Sequence, residues 1–134
     1  MDYAPTSIDN VRSFLEGPHR AVLATTAREG SPHLVVVDYL VGHDHLLVNG
    51  RVNRRWVLNL RQDPRVSALV HDRDDPSHWV RLTGTAELLR EGDKAAVEDA
   101  MEMARRYGDD PAGFAGQHRV TWQLVPRQVI ERAP

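Results

Sequence analysis

The chain has 134 residues, 17 basic against 19 acidic for a formal net charge of −2, with 41% hydrophobic and 27% charged residues and no cysteine. This is the material of one domain, 1–134, large enough to bury its own core, and the composition disfavours disorder, collagen-like repeats and low-complexity fibres. Absent thiols exclude disulfide scaffolds, thiolate metal sites, iron–sulfur clusters and a cysteine nucleophile, and the lack of a basic excess argues against nucleic-acid and membrane-surface partners.

In chain order, Ser7 is a helix cap, and Ile8, Val11, Phe14 and Leu15 recur at helical spacing until Gly17-Pro18. Met1 to Thr6 lacks the basic start and apolar core of a signal peptide, so a cytoplasmic location is expected. Ala21 to Thr26 reads as a strand, Gly30 supplies the turn, and Pro32 to Val41 is the return strand. Its apolar run, Leu34 to Val37, is too short to cross a bilayer. A turn at Gly42 to His45 leads into Leu46 to Asn49, completing an expected meander of three strands. A short helix follows, with Trp56, Val57 and Leu60 on one side and Asp63-Pro64 as its stop. Val66 to Val70 is the next strand. Trp79 to Leu89 is a long one, with Val80 and Leu82 buried, Thr83 a further candidate, and Gly84 a bulge or barrel bend. Asp93 is expected to cap a helix whose stripe is Val97, Ala100, Met101 and Ala104. Val120 to Val125 and Gln128 to Ile130, broken at Pro126, finish the sheet. Six or seven strands with three short helices and no β-α-β alternation predict a mainly β, antiparallel, closed or nearly closed barrel rather than a dinucleotide-binding fold.

One segment suggests chemistry. In Asn49-Gly50-Arg51-Val52-Asn53-Arg54-Arg55, three arginines fall within five residues, where a strand ends and a helix begins. The unpaired N–H groups of a helix's first turn and the positive end of its dipole add to such a cluster, making an anion site. Gly50 lets the backbone approach a ligand, and Asn53 can cap the helix or donate to an oxyanion. A solvated helix face is the alternative. His43 and His45 flank Asp44 on a turn, and His71 and His78 bracket an acidic loop, but neither pair has a third ligand at metal-site spacing, so no metal is expected. Serines and histidines occur without a nucleophile elbow. Trp79 opens a strand beside a polar turn, where a flat ring system can stack.

These residues resemble the flavin and deazaflavin oxidoreductases with the split β-barrel of pyridoxamine 5′-phosphate oxidase. The likeness runs through Ala21-Val22-Leu23-Ala24-Thr25-Thr26, Gly30-Ser31-Pro32-His33, Leu46-Leu47-Val48-Asn49, Asn59 to Ser67 and Leu82-Thr83-Gly84-Thr85-Ala86-Glu87. The short form is similar to the actinobacterial branch that uses the deazaflavin coenzyme F-420 in place of flavin mononucleotide (FMN). The resemblance implies a homodimer with a cofactor in each cleft between subunits. It also implies a phosphate held near Arg51, Arg54, Arg55 and Asn59, and a ring system against the strand of Val35, Val36, Val37 and Asp38. Trp79 matches a position often aromatic in the family. Trp56 replaces a family lysine, and Val36 and Asp38 replace a proline and an aromatic residue. Three functions follow: hydride transfer from reduced F-420 to a biliverdin-like tetrapyrrole, quinone or unsaturated lactone; non-catalytic carriage of F-420, flavin or haem; and FMN-dependent oxidation of pyridoxamine phosphate. No catalytic residue is assigned; Tyr39, His33 and water are the candidate acids.

Overall fold

The computed structural model describes residues 3–134. Strand β1 (Tyr3–Thr6) is followed by helix α1 (Ile8–Leu15), whose Ser7 side chain accepts from the Asn10 N–H and which buries Ile8, Val11 and Leu15. Then come β2 (Ala21–Thr26), β3 (Pro32–Val37), the short β4 (Leu40–Val41), β5 (Leu46–Arg51) and α2 (Arg55–Gln62). The chain continues through β6 (Arg65–His71), β7 (Trp79–Gly92), α3 (Ala95–Arg106), a 3-10 turn (Pro111–Phe114) and β8 (Arg119–Arg132).

All eight strands join one antiparallel sheet in the order β3-β2-β6-β7-β8-β5-β4, with β1 added to β8. Strand β8 organises the sheet: its first half pairs with β5, its last residues pair with β1, and almost its whole length pairs with β7. Burial alternates along β2, β5 and β6, as one-sided packing requires. Leu23, Val48, Val57, Val120 and Leu124 are fully buried in a core closed by α1 and α2.

Several local expectations change. The return strand breaks after Val37 because Tyr39 turns inward, fully buried, and its hydroxyl donates to the Leu15 carbonyl at 2.6 Å. The expected meander forms only in part: the return segment pairs with β2 through β3 but with β5 only through the two residues of β4, and β5 takes β8 as its longer partner. Helix α3 starts from Lys94 rather than Asp93 and buries Met103 where Met101 was expected, Met101 being only partly covered. Strand β8 runs through Pro126 without ending, because the extra residue is absorbed as a bulge opposite Thr83 and Gly84. A Cβ at Gly84 would stand 1.9 Å from the Val125 carbonyl oxygen, so only glycine admits this approach of β7 to β8.

Candidate functional site

Among the described residues strand β3 pairs only with β2, so its other edge is open. On an antiparallel edge, every second residue turns its N–H and C=O outward, unpaired. Against this edge lies a cleft of about 540 Å³. Its walls are His33 and Val35 to Val37 from β3 with Asp38 just after it, Asn49 to Arg51 from β5, and Arg54 to Trp56 at the start of α2. Ala100 and Met103 of α3, Phe114 of the 3-10 turn and Arg119 of β8 complete it.

The electrostatics are one-sided. Arg51, Arg54, Arg55 and Arg119 all line the cleft, and none forms an ion pair with a carboxylate among the described residues. The one acid in the lining, Asp38, is bound by Arg20 Nε at 2.7 Å, while the Arg20 guanidinium lies 4.4 Å from the Tyr107 ring centre. Arg51 and Arg119 stand directly opposite each other across the β5–β8 pairing. Like charges in that position oppose each other. Burial, reinforced by Arg51 and Arg54, lowers the pKa of the Arg119 guanidinium from its ordinary value. Helix α2 begins at Arg54 with no side-chain cap, leaving first-turn N–H groups beside the same cluster. An anion entering here relieves the repulsion and satisfies those donors.

Nine of the residues singled out in sequence meet at this cleft: Val35, Val36, Val37, Asp38, Asn49, Gly50, Arg51, Arg54 and Arg55. Gly50 and Asn49 sit there for reasons other than those expected. A Cβ on Gly50 would lie 2.5 Å from Trp56 Cζ2, so the glycine accommodates the indole rather than a ligand. The Asn49 amide is engaged with protein groups on both its nitrogen and its oxygen.

Asn53, Asn59 and Trp79 do not line the cleft. Asn53 is exposed and is not the cap of α2. Asn59 is buried and donates to Thr25 Oγ1 at 3.0 Å, tying α2 to β2. Trp79 begins β7 between His71 and Arg132, with the Arg81 guanidinium 5.6 Å from its ring centre. Tyr39 is unsuited to proton donation to a cleft-bound substrate: burial pushes its pKa up to about 12, and its hydroxyl is occupied by Leu15. His33 does line the cleft, and its Nδ1 is buried with no hydrogen-bond partner. Sequence reasoning missed Arg119, Met103 and Phe114, which reach the cleft from elements far along the chain. Among the described residues, no three His, Asp or Glu side chains are arranged to hold a metal, and no helix is long and apolar enough to cross a membrane.

An eight-stranded antiparallel split barrel with a cationic cleft on its open edge is the class that fold and geometry define. The family model for pyridoxamine 5′-phosphate oxidase matches residues 7–133, and the chain belongs to this family. No curated protein sequence matches it. Among solved structures, an F-420 reductase superposes with a TM-score of 0.76 at 23% identity, covering 88% of this chain and 94% of that one. A conserved hypothetical protein from Mycobacterium tuberculosis gives a TM-score of 0.76 at 25% identity, covering 92% of this chain and 82% of its own. The haem storage protein of Vibrio cholerae shares the fold at a TM-score of 0.72 and 18% identity, with coverages of 90% and 91%.

Proposed function

We propose that the chain is an oxidoreductase that holds coenzyme F-420 in this cleft, with FMN as the alternative cofactor, and reduces a conjugated small molecule. The observation that carries the reading is the set of four guanidinium groups that have no carboxylate partner among the described residues, gathered in a cleft bounded by an open strand edge. Arg51, Arg54, Arg55 and Arg119 would hold the cofactor's anionic part, helped by the first-turn N–H groups of α2. Outward peptide groups of Val35 to Val37 would bond the polar edge of the ring system, and Val35, Met103 and Phe114 exclude water around it. The unpartnered His33 Nδ1 is a further polar atom left for a ligand.

Bound in its reduced form, the deazaflavin supplies the hydride. The protein's part is then to position two rings and keep the site dry, which accounts for a cleft without an acid–base pair. A biliverdin-like tetrapyrrole, a quinone and an unsaturated lactone are the acceptor classes to test. The working unit in this reading is a cytoplasmic homodimer in which a second copy covers β3 and completes the cleft.

The second reading is a carrier of F-420, flavin or haem without turnover. It is favoured by Trp56, a buried ring with a single N–H donor standing where many family members have lysine. Titration with F-420 and FMN separates the cofactors: a low-micromolar fluorescence change with F-420 is expected, and firm FMN retention with no F-420 response reverses the choice. Multiple-turnover oxidation of reduced F-420 across the acceptor panel then separates enzyme from carrier. Replacing Arg54 and Arg55 together with alanine is expected to weaken cofactor binding at least tenfold, about 1.4 kcal/mol, with an unchanged melting temperature. Unchanged affinity would return these arginines to the role of a solvated helix face.

A further inference from the structure

Asn49 touches the cleft, yet its hydrogen-bonding atoms are used inside the protein. Its Nδ2 donates to the Ala96 carbonyl at 2.7 Å and to Thr121 Oγ1 at 2.9 Å. Thr121 Oγ1 can accept that bond because its own proton goes to Asp99 Oδ2 at 2.6 Å. The same carboxylate oxygen receives Arg90 Nε at 2.5 Å, an ion pair that neutralises Asp99. With both amide protons engaged, Asn49 Oδ1 is the atom left, and it accepts from Arg119 Nε at 2.7 Å.

The order of donors along this chain fixes its sense. Flipping the Asn49 amide would set its NH2 against the Arg119 donor and its oxygen against the Ala96 carbonyl, which is unfavourable at both ends. Arg119 is also bonded to Gln117 Oε1 and lies 4.7 Å from the Phe114 ring centre. Held on three sides, its guanidinium keeps its remaining N–H donors for the cleft. Because Arg90 takes the charge of Asp99, the chain aims Arg119 without neutralising it. A flexible arginine opposite Arg51 would swing away from the like charge; this one is prevented from doing so.

We propose that Asn49, Thr121, Asp99 and Arg90 form a positioning chain that fixes Arg119 as the fourth anion-binding guanidinium of the cleft. For its physiological ligand the inference rests on the cofactor-site reading above, but its test uses a simple anion. The probe is pyrophosphate, read as a saturable rise in melting temperature at constant ionic strength against sodium chloride. Wild type is expected to respond, and Arg119→Ala to bind at least about tenfold more weakly. Thr121→Val, which removes one hydroxyl at a fully buried position outside the cleft lining, is expected to weaken binding about three- to tenfold, with Thr121→Ser restoring it.

The decisive readout is the cycle. In the Arg119→Ala background, Thr121→Val should produce no further loss of affinity, because its effect passes through Arg119. An equal loss in both backgrounds, a Thr121→Val protein that is less stable but binds as wild type, or a wild type that pyrophosphate does not stabilise each overturns the proposal. Should Thr121→Val fail to fold, Asp99→Asn enters the same cycle with the same expected outcome. F-420 and FMN titrated in parallel keep the two readings apart. If neither binds while the pyrophosphate cycle behaves as stated, the cofactor assignment fails and the positioning chain stands.

Discussion

Glycine at position 50 leaves the space that the Trp56 indole fills, with Cζ2 only 2.5 Å from where a Cβ would be. The obstacle is the far end of a side chain rather than backbone, so Gly50→Ala is expected to fold and to displace the ring. Trp56 is buried beneath the arginine cluster and helps seat the first turn of α2. Affinity for the cofactor should therefore fall about three- to tenfold in a fluorescence titration, with a stability loss of about 1–2 kcal/mol. A variant that binds as wild type would show that the indole's place is immaterial to the cleft. The sequence signalled that position 50 needs glycine, but not which neighbour requires it, because the strand–helix corner that brings Trp56 back over Gly50 exists only in three dimensions.

At the level of elements, Arg106 joins three parts of the fold. From the last turn of α3 its guanidinium donates to the carbonyls of Leu15 at 2.8 Å and Gly17 at 2.7 Å, and also to that of Tyr39. It thereby satisfies carbonyls at the end of α1, and it lies 4.4 Å from the Tyr39 ring centre. Arg106→Met keeps much of the stem and removes these bonds, so it is expected to cost about 2–4 kcal/mol in denaturant unfolding, whereas exposed Arg105→Met should be close to neutral. Beside this joint, His19 is buried against Phe14 with its Nδ1 lacking a partner. Burial lowers its pKa below the ordinary 6.5, with Arg106, Arg73 and His71 acting in the same direction and Asp72 opposing. The unfolded chain then takes up this proton more readily than the fold, so His19 contributes stability above pH 6.5 that is lost as pH falls below it. The melting temperature should drop between pH 7.5 and 5.5, and His19→Gln should flatten that part of the profile; an unchanged slope would remove His19 as its source. Local elements such as α1, with its Ser7 cap and apolar spacing, were legible from sequence because their determinants lie within a few residues. The hairpin of β4 with β5 was legible in the same way, but the longer pairing of β5 with β8 was not, since it joins residues some seventy positions apart, and Arg119 went unseen for the same reason. Three arginines clustered along the chain were visible; the fourth is contributed by the sheet.

For the whole molecule, the unresolved demand lies on β3. Its free edge carries unpaired peptide groups, and Leu34 and Val36 are 67% and 63% exposed on the face turned away from the core. An open apolar edge of this kind invites strand addition or aggregation unless something covers it. A second copy supplies the cover proposed above, and a standard interface of about 800 Å² per partner would take roughly a tenth of the 7359 Å² accessible surface. The cleft runs along the same strand, so covering β3 would also add a wall to the cofactor site. Sedimentation at micromolar concentration should therefore give a dimer for the wild type. The double variant Leu34→Lys with Val36→Lys should give a monomer, because like charges would face each other across the shared surface without disturbing the core. Since Val36 itself lines the cleft, Leu34→Lys alone is the cleaner reading for the cofactor. Its affinity is expected to fall at least about tenfold under conditions where it is monomeric, and to recover as concentration restores the dimer. A double variant that remains dimeric moves the interface elsewhere, and a monomeric Leu34→Lys with undiminished affinity means that one chain alone completes the site.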